Sequence, residues 1–186
     1  MTPTTRHLVL FVVATAPQSG KSTAAGFFAQ WLATPRVESS SMINERVERR
    51  LGLEPGTIVR VRRTSPATYR PELVDEGNRM AAEGMSPGLL CVLAGYRVID
   101  GIRRGTELAA SVVEARARGF EPFIVCVERA AGDHATDNTE AATLRSMADV
   151  VIQNDRIPGE AEAVWHARLE AACRAALVTA RDRATR

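Results

Sequence analysis

The sequence predicts an α/β domain: a five-stranded parallel sheet with helices on both faces. Three observations carry this. Short apolar runs rich in β-branched residues recur along the chain, and those at 8–13 and 122–127 lack the polar alternation of a half-exposed strand. Segments with helical spacing separate these runs, the pattern of strand–helix–strand units. The chain has 186 residues, 45% of them hydrophobic, which suits one domain with an ample core.

Taken in order, residues 8–13 form the first buried strand, and a polar loop follows at once. A helix over about 21–32 presents Phe27, Phe28, Trp31 and Leu32 on one face. A short second strand is expected at 37–41 and a charged helix at about 43–51, which Gly52 can end. Residues 54–67, with Gly and two Pro, read as irregular. Helices are expected over 69–83, with Pro71 in the first turn, and over 87–94. Val98, Ile99 and Asp100 end the third strand. A helix over 107–118 follows, capped by Gly119, and then the fourth strand at 122–127. A polar loop at 130–138, a helix at 139–147 and a last strand at 150–152 come next. The final helix, about 159–181, carries Trp165, Leu169, Cys173 and Leu177 on one face.

Composition narrows the function classes. Net charge is only +2, so the chain as a whole is not a polycationic nucleic-acid binder. Cys91, Cys126 and Cys173 are odd in number and widely spaced, which suggests reduced core thiols in a cytosol. The first apolar run is too short for a membrane span or an ordinary signal peptide. A soluble, cytoplasmic protein without a membrane partner is expected.

Of the 24 basic residues one alone is lysine, Lys21, inside Thr15-Ala16-Pro17-Gln18-Ser19-Gly20-Lys21-Ser22-Thr23. Lys and Arg serve equally as solubilising charges, but a compact ammonium fits between phosphate oxygens where a planar fork does not. The segment matches the Gly-x4-Gly-Lys-[Ser/Thr] phosphate-binding loop, except that Thr15 stands at the first Gly. Backbone N–H groups from Gln18 to Ser22 are expected to face a β-phosphate, aided by the helix dipole. Gly20 allows close approach and Thr23 continues the cradle. Lys21 is expected to bridge the β- and γ-phosphates of ATP, and the Ser22 hydroxyl to ligate Mg²⁺. Thr15 is expected to reshape the loop entrance without removing the cradle.

Asp100 closes an apolar strand and is followed by Gly101, Ile102, Arg103 and Arg104. An acid at the carboxyl end of a strand beside such a loop can hold Mg²⁺ through water. The run resembles the Asp-Gly-aromatic-Pro-Arg segment of nucleoside monophosphate kinases. With the loop, the stretch 70–77, residues 100–107 and residues 147–155, about half of the chain is similar to phage deoxynucleoside monophosphate kinases. It resembles equally the related phage kinases that act on 5-hydroxymethyluracil in DNA during thymidine hypermodification. The resemblance implies one P-loop kinase domain over 1–186, with an acceptor-binding insert at about 36–95 and a lid at about 129–140. It implies that Asp100 assists Mg²⁺ and that Arg104 grips the transferring phosphate, with Arg103 standing where that family has Pro. Arg129 and Arg145 are its lid candidates. His134, in the lid loop, reads as an exposed residue.

Between residues 36 and 70 there are eight arginines and four glutamates, a local balance of 8 − 4 = +4. Arg62, Arg63 and Arg70, with Arg103 and Arg104, are the candidates for binding acceptor phosphate. A mononucleotide needs two or three arginines, whereas an excess suits a polymeric acceptor such as DNA. An ordinary charged face with pairs such as Glu45 and Arg49 is the plain alternative. A hydroxyl acceptor benefits from a carboxylate base, and Glu38 and Asp100 are the two candidates. Asp149, Asn154 and Asp155 read as turn and cap residues.

The expectation is therefore transfer of the γ-phosphate of ATP·Mg²⁺ to a deoxynucleotide-class acceptor, foremost a deoxynucleoside monophosphate. The alternatives are a hydroxymethylated pyrimidine in DNA and a regulatory NTPase. A GTPase would need Asn-Lys-x-Asp, which a chain with one lysine in its phosphate loop does not contain. A homodimer is compatible with the reading. The compartment is the cytoplasm, that of the host if the chain is phage-encoded.

Overall fold

The computed structural model describes residues 7–129 and 138–186. Five parallel strands form one sheet: β1 (His7–Ala14), β2 (Arg36–Glu38), β3 (Val98–Asp100), β4 (Phe120–Glu128) and β5 (Val150–Gln153), in the order β2-β3-β1-β4-β5. Eight helices accompany them among the described residues: α1 (Lys21–Trp31), α2 (Ser40–Leu51), α3 (Thr57–Thr64), α4 (Arg70–Ala82), α5 (Pro87–Leu93), α6 (Gly105–Ala117), α7 (Asn138–Ser146) and α8 (Glu162–Ala184).

The chain reverses direction across the sheet once. It runs from β1 outward to β2, then steps back through β3, past β1, to β4 and β5. Right-handed crossovers then require α1 on one face and α5 to α7 on the other. The core divides accordingly. Leu8, Leu10 and Val12 pack with Phe28 of α1 and with Leu169, Cys173 and Leu177 of α8. Val9, Phe11 and Val13 pack on the opposite face with Cys91, Val92, Leu108, Val112 and Leu144. A strand apolar on both faces is what this two-sided burial demands. The reversal also opens a crevice at the carboxyl edge of β1, where sheets of this kind bind ligands.

Several boundaries differ from expectation. The second strand is Arg36–Glu38, and Ser40 and Ser41 open α2 instead of extending it. The last helix starts at Glu162, after Ala161, and continues to Ala184. The larger correction is α3, in the stretch read as irregular. Its N-terminus is organised from a distance: buried Glu48 of α2 accepts the backbone N–H groups of Gly56 at 2.9 Å and Ile58 at 2.8 Å, and the Ile58 side chain is buried. A tertiary carboxylate supplies the cap that the local sequence lacks. Elsewhere the local signals hold. Gly52 ends α2 in the left-handed region at φ 66°, and Ser86 caps α5 by accepting from Leu89 N–H at 3.2 Å, with Pro87 next.

Two outcomes are expected. Glu48→Ala leaves two backbone donors without their acceptor and lowers unfolding stability by about 2–3 kcal/mol in urea titrations. The three cysteines are buried and unpaired, and burial first of all pushes the thiols of Cys91 and Cys173 up to about 12 and that of Cys126 to about 11. A raised thiol pKa means a protonated, poorly nucleophilic sulfur at neutral pH. A disulfide-exchange thiol reagent at pH 8 should therefore stay silent on the folded chain and titrate all three cysteines in denaturant.

Candidate active site

Residues 15–20 carry the chain from β1 into α1. The left-handed angles in this loop fall at Gln18 (φ 55°) and Gly20 (φ 88°), whereas Thr15 is not among the positive-φ residues. Thr in place of the first Gly therefore imposes no left-handed strain. Gly20 is required twice over, because a Cβ there would also lie 2.3 Å from Asn154 Nδ2. Asn154 is buried beneath the loop and donates through Nδ2 to the Ser19 carbonyl at 2.7 Å, while its own backbone N–H donates to the Glu128 carbonyl at 2.8 Å. Read from sequence as a turn or cap residue, Asn154 instead ties the end of β5 to the loop.

The second wall of the site is Asp100, at the end of β3 and 0% exposed. Its Oδ2 accepts from Lys21 Nζ at 3.0 Å and from the Ser22 hydroxyl at 3.2 Å. Its Oδ1 accepts from Arg36 Nε at 3.2 Å, and Arg36 Nη1 donates to the Ser22 carbonyl at 3.1 Å. A buried carboxylate needs such partners, since an unpaired charge out of water is costly. Arg36 thus braces β2, β3 and the first turn of α1. The sequence placed it only among the arginines of the insert. Its site role depends on strand register, with Arg36 opposite Val98 and Glu38 opposite Asp100. Glu38 sits exposed at the rim, and Gly101 (φ 87°) has no room for a Cβ because Glu38 Cγ would be 2.8 Å away.

A cavity of about 350 Å³ opens over the loop, lined by Ala16 to Thr23 and by Trp165 of α8. Beside it, the segment after Asp100 is fixed from two sides. Glu107 accepts the backbone N–H of Gly88, at 2.8 Å, and of Arg103. Burial raises its pKa above the ordinary carboxylate range, an effect that these hydrogen bonds and Arg104 oppose. Glu140 of α7 accepts the Gly105 N–H at 2.9 Å and so completes the N-terminus of α6.

The predicted residues divide into two groups. Lys21, Ser22 and Asp100 meet directly, and Gln18, Ser19, Gly20 and Thr23 surround the cavity with them. Glu38, Arg103, Arg104 and Arg129 stand at the same carboxyl edge of the sheet, each at or just beyond a strand end. Arg103 and Arg104 are exposed. Arg62 and Arg63 of α3 and Arg70 of α4 are exposed on helices that pack chiefly against α2, and no hydrogen bond or ion pair brings them to Lys21 or Asp100. The arginine excess of residues 36–70 is largely structural. Arg36 holds Asp100, Arg46 and Arg50 converge with Arg79 on buried Glu76, and Arg60 bonds Thr57 and the Pro55 carbonyl. Glu45 and Arg49 form no ion pair among the described residues. Arg145, a lid candidate, is engaged by Glu128 at 2.7 Å. His134 and the lid residues 130–137 lie outside the described residues.

No family model and no curated protein matches the chain. Among solved structures, the chain is similar to a crystal structure described as a "putative kinase" from Chloroflexus aurantiacus J-10-fl. Identity is 14% and the TM-score 0.49, over 95% of this chain and 99% of that one, a likeness too distant to assign a family or an activity.

The double constraint on Gly20 can be measured. Gly20→Ala is expected to cost about 2 kcal/mol or more in urea unfolding, from the left-handed angle and the clash together. In an Asn154→Ala background the penalty should shrink, because the clash is gone and the backbone strain remains. Equal penalties in both backgrounds would show that the side chain of Asn154 does not press on Gly20.

Proposed function

We propose that the chain is an ATP-dependent phosphotransferase whose acceptor belongs to the deoxynucleotide class, foremost a deoxynucleoside monophosphate. The observation that carries the proposal is the meeting of Lys21, Ser22 and Asp100 under a loop of backbone donors, at the carboxyl edge of the sheet beside its reversal point. An ammonium has three donor hydrogens and Asp100 takes one from Lys21, which leaves two for phosphate oxygens. Phosphoryl transfer asks for positioning and charge neutralisation more than for covalent chemistry.

The donor set suits Mg²⁺: a hydroxyl and a carboxylate, both hard oxygens, share one hydrogen bond of 3.2 Å. The described residues contain no group of three or more His, Cys, Asp or Glu able to hold a metal ion. That fits an ion completed by substrate phosphates and water rather than by a protein cage. Ser22 and Asp100 would hold Mg²⁺, which supplies neutralisation of the phosphate charge when bound. The chain's own contributions follow from their placement. The loop N–H groups orient the donor phosphates, Lys21 screens the oxygens of the transferred group, and Arg104 at the start of α6 reaches the acceptor side. Arg129, directly after β4, is the remaining lid arginine without an ion pair among the described residues.

A second reading is a kinase of a hydroxymethylated pyrimidine within DNA. The observation that favours it is Glu38, exposed at the rim and in register with Asp100, where it can accept the proton of an alcohol. Against it stands the commitment of four insert arginines to protein partners, which leaves Arg49, Arg62, Arg63 and Arg70, a set closer to what a mononucleotide phosphate needs.

Radiolabelled γ-phosphate from ATP, offered to deoxynucleoside monophosphates and to DNA with ordinary or hydroxymethylated pyrimidines, separates these readings. Label in none of them would defeat both. Lys21→Ala should lower transfer at least a thousand-fold while circular dichroism stays native, and transfer that survives the substitution would remove the loop from the mechanism. Replacing Arg62 and Arg63 together by Ala should raise KM for the acceptor about ten-fold and leave that for ATP within two-fold. Equal losses would place α3 outside the acceptor site.

A further inference from the structure

The phosphate loop, Lys21 and Asp100 account for the triphosphate of a nucleotide and leave its base unassigned. The loop cavity has one aromatic wall. Trp165, in the first turn of α8, lines the same space of about 350 Å³ as residues 16–23. A cavity of that size lies within the range of small-molecule sites and exceeds what a phosphate chain alone would fill.

The ring is held in place from several directions. The Arg156 guanidinium lies over it, 4.9 Å from the centroid, and His166 meets it edge-on at 4.7 Å. Its apolar body packs against the core cluster that contains Phe28 and Leu169. The segment that bears Arg156 is itself fixed. Arg168 donates to the Asp155 carbonyl at 2.7 Å and to both oxygens of Glu160, at 2.8 and 2.9 Å. Asn154, at the start of this segment, is the residue bonded to Ser19 of the loop. The distance between ring and loop is therefore set by continuous bonded structure, as a seat for a ligand spanning both would require.

We propose that Trp165 is the seat of the nucleobase: the base of the donor nucleotide stacks on its indole ring while the loop holds the phosphates, with Arg156 beside the stack. Every base offers a π-face, and a base stacked on an indole is held without reading its edge. A guanidinium on the same ring adds a cation–π term and fixes the ring plane. This inference rests on the loop binding nucleoside triphosphate. It goes further in assigning the base to α8 and the β5–α8 segment.

The test compares two ligands that share phosphates and differ in the base: MgATP and magnesium tripolyphosphate. Binding to the full chain is measured by calorimetry for the wild type, Trp165→Leu and Trp165→Tyr. Trp165→Leu is expected to raise Kd for MgATP about ten-fold, the loss of one base–aromatic stack, and to leave tripolyphosphate within two-fold. Trp165→Tyr, which keeps a stacking ring, should recover most of the MgATP affinity. The two tryptophans allow an optical check, since Trp31→Phe leaves Trp165 as the sole indole. Its fluorescence should be quenched by MgATP and not by tripolyphosphate.

Unchanged MgATP affinity in Trp165→Leu would place the base elsewhere and overturn the proposal. Equal loss of both ligands, with native circular dichroism, would reduce Trp165 to a support of the loop and overturn it as well. If the wild type binds tripolyphosphate but no nucleotide more tightly, the base seat falls and the phosphate site stands. If it binds neither, the donor-site reading itself falls and the seat with it.

Discussion

A single carboxylate with no access to water organises the site. Asp100 is fully buried, and the energy of keeping its charge there is offset by Lys21, Ser22 and Arg36. These partners come from the first turn of α1 and from β2, so that one side chain fastens the two elements nearest to its own strand. The geometry of the loop follows from the same arrangement, because Lys21 and Ser22 are the residues at which the loop becomes helix. The opposite side is closed by Asn154, which grips the Ser19 carbonyl. Between them the loop is held at two points without any bond from its own side chains across the cavity.

Much of the fold is legible in the sequence because its strands are central and parallel, where burial on both faces leaves runs of apolar residues. The phosphate loop and Asp100 are legible for a chemical reason, since few residue types suit their tasks. What the sequence conceals depends on distance. Helix α3 forms where Gly and Pro suggest a loop, and the carboxylate that caps it, Glu48, lies in another helix. Arg36 looks like one arginine among eight until the register of β2 sets it beside Asp100. Asn154 has the composition of a turn and the burial of a core residue. In each case the deciding partner is distant in sequence, and no local pattern encodes it.

The arginine content illustrates the limit of charge counting. A local balance of +4 suggests a surface for polyanions, yet Arg46, Arg50 and Arg79 gather on Glu76, which is 2% exposed. These contacts knit α2 to α4 and give one acid several donors in fixed directions, a task suited to the guanidinium fork. Only the arginines outside such clusters remain for ligands. The relevant quantity is thus the number of unpaired guanidinium groups on one face, which only the packed structure provides.

The lone lysine has a further consequence, for covalent chemistry. Acylating agents, aldehydes and amine-directed crosslinkers attack ε-amino groups, and this chain has one. That amine is partly exposed, at 22%, and paired with Asp100. Whatever acylates it cancels the charge that faces the phosphate cavity, so a single modification is also a complete one. Surface labelling through lysine, harmless to proteins that carry dozens, is directed in this molecule at the site itself.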